Sequence, residues 1–443
     1  MKIVIAGAGE VGTHLAKLLS KENQDIVLID NDNTKLQSMN SHNILPVKGR
    51  PTSFKVLKDA EIDEADLFIA VTPYETENVT ACAMAKDLGA KYTVARIDNY
   101  EFMRVQDTGF FKRIGVDLLI YPELLAAEEM RTALERSWVR NWFELCNGEL
   151  IVVGVKLRGN AKLIGTQLKD LASLSSYFHV SAIKRKQETI IPRGDNFLRE
   201  NDIVYFATRM DYIDNLRDLC GKKNIEINRI LVMGGSRIAI QLAMITGDKY
   251  KMKIIDNDLD KCNYLAAKLS KAVVIHGDGR DIDLLKHEDI ADYDAFIALT
   301  DSSETNILAC LTAKELGVCK TIAEVETIQF INEAEGLNIG TVINKKLLAS
   351  SKIFQRMLDS DSSTSKCLAL ADAEVAELVV KEGSKVTRDA VMNLNLSKDM
   401  TIAGLVRDGK GLLVKGNTRI QAGDHVVIFC LNGAIHKVEK LFN

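Results

Sequence analysis

Apolar positions recur along this chain with two periods. Lys2–Ala6 is a nearly unbroken apolar run followed by a glycine-rich turn, as expected of a strand buried on both faces. Val11, Leu15, Leu18 and Leu19 then fall on one face of a helix spanning 11–20. Further strands are predicted at Ile26–Asp30, near Ile44–Val47, at Leu67–Val71 and at Thr93–Ile97. Helices are predicted from about Thr34 and over Glu77–Leu88. Strands alternating with helices predict an α/β domain with a doubly wound, Rossmann-like parallel sheet. Pro122–Arg136 carries Leu124, Leu125, Glu128 and Glu129 in helical phase, and a helix at such a junction can cross to a neighbouring domain. Beyond it, Leu150–Leu157, Val180–Lys184 and Ile203–Ala207 read as strands of a small α+β lobe, with turns at Gly159-Asn160 and Pro192–Gly194.

The same pattern then starts again. KIVIAGAGEVG matches RILVMGGSRIA, so that Gly7 pairs with Gly234. Ile29–Asp32 matches Ile255–Asp258, and Ile69–Thr72 matches Ile297–Thr300. The following helix keeps Asn78 with Asn306 and Cys82 with Cys310. Ile191–Asp202 pairs with Leu413–Asp424. There Asn201 stands opposite Gly423, two residues that tolerate a left-handed turn. The fold class is therefore two tandem Rossmann-like domains, each followed by a small α+β lobe. The expected boundaries are 1–122, a crossover helix at 123–140 and a lobe at 141–224. The second set is 227–345, 346–362 and 363–443.

Composition narrows the function. The 443 residues carry 57 Lys and Arg against 61 Asp and Glu, a formal charge of -4, which argues against a strongly basic nucleic-acid binder. No apolar run reaches the length of a membrane helix, and the first apolar run meets Glu10 at once, so a cytosolic chain is expected. The 8 cysteines form no C-x-x-C pair, and reduced, buried thiols are expected, including Cys82 and Cys310.

Gly7-Ala8-Gly9-Glu10-Val11-Gly12 is an intact G-x-G-x-x-G. It follows a strand, opens a helix and precedes Asp30, which stands at a strand end with Asn31 beside it. Gly7 allows the tight turn, Gly9 lets backbone approach a pyrophosphate, and Gly12 lets helix and strand pack. The helix N-terminus offers amides and a positive dipole end to phosphates. Asp30 can accept both ribose hydroxyls and would repel a 2′-phosphate, so NAD(H) is expected over NADP in this domain. Glu10 is expected to face solvent on the first helical turn.

In the second copy Gly234 keeps the first glycine, Ser236 replaces the second, and Ala239 stands at the third. Arg237 offers a phosphate partner, and Asp256 with Asn257 repeats the ribose-binding position. This copy either retains a nucleotide, of the same or another kind, or is structural. Thr72 and Thr300 end the fourth strands, facing a ligand crevice or capping a helix. Gly277 and Asp278 follow the third strand of the second copy, where Asp278 is placed to reach a base or ribose; Arg50 stands there in the first. Arg96 ends the fifth strand, within reach of phosphates or of a surface carboxylate, and its counterpart is Glu324. The 7 histidines occupy no repeated position and no recognisable acid-base pattern, which argues for a nucleotide that is sensed rather than consumed. The readings set against this are an NAD-dependent oxidoreductase and a redox-sensing transcriptional regulator.

As a set, Gly7-x-Gly9-x-x-Gly12, Asp30, Ile69–Thr72, Asn78, Ala95-Arg96, Ile297–Thr300 and Asn306 resemble the domain that regulates potassium conductance (RCK). Ile191–Asp195 with Asn201-Asp202 resembles that family's C-terminal lobe. Two such pairs in one chain resemble the TrkA family, cytosolic subunits of Trk-type potassium uptake systems. The resemblance implies binding of NAD(H), or of ATP, ADP or another adenine nucleotide in either domain. It implies a homo-oligomeric ring, typically a tetramer. It further implies docking on the inner face of the cell membrane against an integral potassium-translocating subunit, with crossover helices swapped between neighbouring units.

Overall fold

The computed structural model describes all residues except 21–23, 38, 40–43, 107–108, 175, 187, 338, 360–363, 371–372, 432–440 and 443. The chain divides into two compact units, Met1–Ala126 with Lys345–Ser360, and Ala127–Asn344 with Asp361–Asn443.

The first unit is built on six parallel strands: β1 (Lys2–Ala6), β2 (Asp25–Asp30), β3 (Ile44–Lys48), β4 (Leu67–Ala70), β5 (Tyr92–Arg96) and β6 (Leu118–Ile120). Their order, β3-β2-β1-β4-β5-β6, is the doubly wound order, with its switch point between β1 and β4. All five residues of β1 are buried, because helices cover both faces of the sheet. The helix Glu10–Ser20 buries Val11, Leu15, Ala16 and Leu19. The helix Glu75–Asp87 buries Ala81, Cys82 and Ala85, and the Cys82 thiol lies 3.4 Å from the Val94 carbonyl oxygen. The Cys82 thiol is held above its ordinary range by desolvation, as an inert core group should be. A late segment completes this unit: the helix Lys345–Asp359 packs against the helix Glu10–Ser20. The expected second crossover helix at 346–362 thus falls on this element, with 360–362 outside the described residues.

The second unit contains the second Rossmann-like sheet: β12 (Arg229–Met233), β13 (Lys251–Asp256), β14 (Ala272–His276), β15 (Ala295–Ala298), β16 (Lys320–Glu324) and β17 (Thr341–Ile343). Its order, β14-β13-β12-β15-β16-β17, repeats the first. The lobes are antiparallel five-stranded sheets. The first comprises β7 (Asn141–Leu145), β8 (Leu150–Lys156), β9 (Phe178–Arg185), β10 (Glu188–Ile190) and β11 (Ile203–Thr208). The second comprises β18 (Thr364–Leu370), β19 (Ala373–Val379), β20 (Met400–Arg407), β21 (Lys410–Leu413) and β22 (His425–Leu431). The two sheets share one core, in which Leu150, Val152 and Tyr205 meet Val375, Val427 and Phe429.

The lobe repeat extends to individual bonds. Asn201 (φ 69°) and Gly423 (φ 87°) both adopt the left-handed turn expected of them. Arg185 chelates Asp202 and also reaches the Phe197 carbonyl oxygen; Arg407 does the same with Asp424 and the Arg419 carbonyl oxygen. Asp202 and Asp424 are each 1% exposed, so each of these carboxylates depends on its bidentate arginine.

Candidate functional site

The site of interest lies at the carboxyl ends of β1, β2 and β4, where sheet order reverses. Gly7 (φ 110°) turns the chain out of β1, in a conformation that side-chain-bearing residues avoid. A Cβ on Gly7 would lie 3.0 Å from the Thr72 amide nitrogen. A Cβ on Gly12 would lie 1.8 Å from the Gly7 carbonyl oxygen, so the helix reaches this loop only because Gly12 has no side chain. Gly9 differs from both. Its φ is not in the left-handed region, it is exposed, and a Cβ there would meet nothing within 4 Å. Two of the three glycines serve the fold, and the third leaves space at the mouth of the crevice.

Asp30 ties this loop to β2. The Ala8 amide donates to its Oδ2 at 2.6 Å and the Asp32 amide to its Oδ1 at 2.8 Å. Asn31 is exposed beside it. Val11 is 7% exposed and belongs to the packed face of the helix rather than to the crevice surface. Glu10 is on the first helical turn, 55% exposed. Its carboxylate does not simply face solvent, as the sequence suggested: Lys346 Nζ, on the helix Lys345–Asp359, lies 2.5 Å from Glu10 Oε2. A cation from a helix more than 300 residues downstream therefore stands beside the N-terminal turn that the glycine loop opens.

Thr72 is bound to the helix that follows β4. Its amide and hydroxyl donate to Asn78 Oδ1 at 2.9 and 2.7 Å, while Asn78 Nδ2 donates to the carbonyl oxygens of Thr72 and Arg96 at 3.0 and 2.9 Å. Asn78 is 1% exposed and joins the ends of β4 and β5. Asn306 repeats each of these bonds with Thr300 and Glu324. Truncating Asn78 strands a buried amide and two carbonyl groups. Asn78→Ala is expected to lower stability by about 3 kcal/mol, read as a reduced urea midpoint; a loss under about 1 kcal/mol would contradict this role. Arg96 is mostly buried, and its Nη2 lies 3.0 Å from Asp98 Oδ1.

The second domain encloses a crevice of about 290 Å³, lined in part by Gly234, Asp256, Asn257, Asp278 and Thr300. Gly277 stands one residue before Asp278 on the turn after β14 and is not part of the lining. Asp256 repeats the loop staple: it accepts from the Gly235 amide at 2.7 Å and the Asp258 amide at 3.0 Å. Here the carboxylate has a further partner, Lys261 Nζ at 2.9 Å, supplied by the helix Leu259–Lys268. Burial works to raise the Asp256 carboxyl, but the bonds from Lys261 and the two amides outweigh it and hold it below its ordinary value. Ser236 caps the helix Arg237–Thr246, its hydroxyl 3.5 Å from the Ala239 amide. Arg237 is the exposed first residue of that helix and does not line the crevice. Asp278 is bound by Arg280, whose guanidinium holds it below the usual carboxylate range.

Lys261, Arg280 and Lys346 carry no motif and were not singled out from sequence. Lys261 had the nearest signal, since the Asp258 N-cap sets the phase of its helix over Asp256.

Two protein-family models match these repeats: the TrkA-N domain over residues 3–122 and 230–345, and the TrkA-C domain over 152–221 and 375–443. The chain belongs to the TrkA family. Among its relatives is Trk system potassium uptake protein TrkA homolog 1 of Methanosarcina mazei, 30% identical, with 100% of both chains covered. The solved GsuK RCK domain matches with a TM-score of 0.60 at 14% identity, covering 100% of this chain and 94% of that one. The GsuK channel bound to NAD matches with a TM-score of 0.59 at 14% identity, covering 100% and 78%. At these identities the likeness is one of fold, the RCK fold in two tandem copies. Among the described residues, no helix of this TrkA-family chain is long and apolar enough to cross a membrane.

Proposed function

We propose that this chain is a nucleotide-sensing regulatory subunit of a Trk-type membrane potassium transporter. Its Rossmann-like domains are 1–122 and 227–345, each followed by a crossover helix and a lobe. It acts as a homo-oligomeric ring, a tetramer, on the cytoplasmic face of the membrane. The reading draws on TrkA-family membership, on relatives named as potassium uptake proteins, and on the NAD-bound state of GsuK.

The observation that carries the nucleotide assignment is the open space at Gly9, beside amides held by Asp30. In the first domain the loop Gly7–Gly12, with Asp30 and Asn31, holds NAD(H). The pyrophosphate lies over Gly9 at the helix N-terminus, and Asp30 receives the ribose hydroxyls. Arg96, at the end of β5, is the basic group we assign to the phosphates. The second domain demands more of a ligand. Lys261 already pairs with Asp256, so a ribose bound at that carboxylate must compete with it. An adenine nucleotide such as ATP or ADP, with phosphates to engage Lys261 or Arg280, fits that crevice better than a dinucleotide.

Gating follows from differential affinity for two states. A phosphate arriving at the first loop repels Glu10 and attracts Lys346. The pair opens, and the helix Lys345–Asp359 shifts its balance of positions on the first domain. In sequence that helix precedes the second lobe, and we propose that its shift carries the signal. The purified chain should bind NADH saturably, followed by quenching of protein fluorescence or by calorimetry. Absence of binding to NAD(H), ATP and ADP alike would overturn the assignment, and steady absorbance change at 340 nm with a small metabolite would favour an oxidoreductase instead.

A further inference from the structure

The turn that leaves the fourth strand is built alike in both Rossmann-like domains. The Tyr74 amide donates to Thr72 Oγ1 at 3.3 Å, and the Ser302 amide donates to Thr300 Oγ1 at 3.4 Å. The Tyr74 carbonyl oxygen accepts from the Asn78 amide and the Ser302 carbonyl oxygen from the Asn306 amide, both at 3.0 Å. The backbone angles match: φ -108°, ψ 109° at Tyr74 and φ -105°, ψ 115° at Ser302. Ser302 lines the crevice of the second domain, beside Thr300 and Asp301. In each copy this turn also adjoins the glycine loop. A Cβ on Gly7 would lie 3.0 Å from the Thr72 amide nitrogen, and one on Gly234 would lie 3.0 Å from the Thr300 amide nitrogen. Position 74 is therefore a rim position of the first-domain crevice.

The two copies carry opposite side chains there. Ser302 Oγ accepts from the Thr305 amide at 3.1 Å and so caps its helix. Tyr74 is the N-cap of the helix Glu75–Asp87 and makes no side-chain cap bond. An N-cap calls for a short polar side chain, so tyrosine weakens the start of this helix. Packing does not account for it either. Tyr74 is 68% exposed, and among the described residues its ring has no aromatic or cationic partner. The backbone beneath it is nonetheless fixed. Glu75 Oε2 accepts from the Asp98 and Asn99 amides at 2.9 and 2.8 Å and ties the turn to the end of β5. A large flat side chain thus stands on a rigid rim, with only its own torsions left to order on binding. A local rule broken without a gain in folding is expected at a functional position.

We propose, on the basis of the first-domain nucleotide reading, that Tyr74 is the stacking platform for the nicotinamide ring of a bound dinucleotide and favours the oxidised ring. A doubly wound sheet offers one mononucleotide site on each half. Asp30 ends β2 and belongs to the adenosine half, whereas Tyr74 follows β4, the first strand of the other half. Oxidised nicotinamide is a flat cation and the reduced ring is neutral. The tyrosine face therefore adds a cation–π attraction to the oxidised form alone. The second copy, with Ser302, offers no such platform.

The test is calorimetric titration of the full chain with NAD⁺, NADH and ADP-ribose, the last of which lacks nicotinamide. The parent, Tyr74→Ser and Tyr74→Phe are compared, with Gly9→Ala as the reference for loss of the first-domain site. Tyr74→Ser installs the residue that caps the helix of the second copy, so its Tm should not fall below that of the parent. Its Kd for NAD⁺ should rise about tenfold, the loss of one base–aromatic stack. NADH should weaken only about threefold, because its ring carries no charge. ADP-ribose should bind as tightly as before, and Tyr74→Phe should retain the parent's affinity for NAD⁺. Unchanged NAD⁺ affinity in Tyr74→Ser overturns the platform. An equal loss of ADP-ribose affinity also overturns it, by placing the ring on the adenosine half. A Tyr74→Phe variant as weak as Tyr74→Ser overturns stacking in favour of a hydroxyl contact. An equal loss for NADH and NAD⁺ overturns the preference for the oxidised ring. If the parent and Gly9→Ala bind NAD⁺ alike, or neither binds it, the first-domain nucleotide reading fails and the platform fails with it.

Discussion

Gly12→Ala is expected to destabilise the first unit by about 3 kcal/mol or more. The new methyl carbon would stand 1.8 Å from the Gly7 carbonyl oxygen, which no rotamer can relieve. The obstacle is backbone, held in turn by the Gly7 amide bonded to the Ile29 carbonyl oxygen and by Asp30 on the Ala8 amide. Relief requires either the helix Glu10–Ser20 to move off the sheet or the loop to leave β2. The first exposes Leu15 and Leu19, and the second breaks the Asp30 staple. The helix Lys345–Asp359 rests on the helix that would have to move, so the damage reaches a segment far along the chain. Denaturant unfolding checks this directly: an unchanged midpoint in Gly12→Ala would mean that the helix does not approach the loop so closely.

Gly9→Ala should behave in the opposite way. Its Cβ meets nothing within 4 Å in the ligand-free protein, and its backbone lies outside the left-handed region. Stability is expected to stay within about 1 kcal/mol of the parent, with a small cost because the Gly9 carbonyl oxygen accepts from the Thr13 amide at the helix N-cap, where alanine is less favourable than glycine. Binding of NAD(H) should weaken about 100-fold. The methyl group occupies the face from which a pyrophosphate meets the amides, and losing two charge-assisted bonds of about 1.4 kcal/mol each gives that factor. The pair of substitutions therefore separates fold from ligand within one motif. If Gly9→Ala unfolds the domain, or binds NADH as tightly as the parent, the assignment of Gly9 to the ligand fails.

Much of this was legible in the sequence because it is local or repeated. The buried run Lys2–Ala6, the glycine loop and Asp30 lie within one βαβ stretch, and short-range periodicity reports such stretches directly. Internal duplication gave each reading a second trial: Thr72 with Asn78 and Thr300 with Asn306 build the same staple from matching residues. The left-handed turn shared by Asn201 and Gly423 was legible for the same reason. What was not legible depends on contacts between distant segments. Lys346 reaches Glu10 across 336 residues, and nothing in its neighbourhood marks it as a partner. Strand β7, Asn141–Leu145, mixes polar and apolar residues too briefly to show a period, yet it pairs along its whole length with β8. The bonds from Thr72 to Asn78 were not legible in the sequence, because a hydroxyl at a strand end suits a ligand crevice and a helix cap equally.

The central claim is that nucleotide binding at the first loop controls potassium transport. The most direct test is potassium uptake at low external potassium in cells lacking their own copy of this gene, supplied with either the parent chain or Gly9→Ala. The account predicts that the parent restores uptake that responds to the cellular NADH/NAD balance. Gly9→Ala, present at equal abundance, should give uptake that no longer responds. Uptake that depends equally on nucleotide in both would contradict the claim, as would uptake indifferent to the presence of the chain.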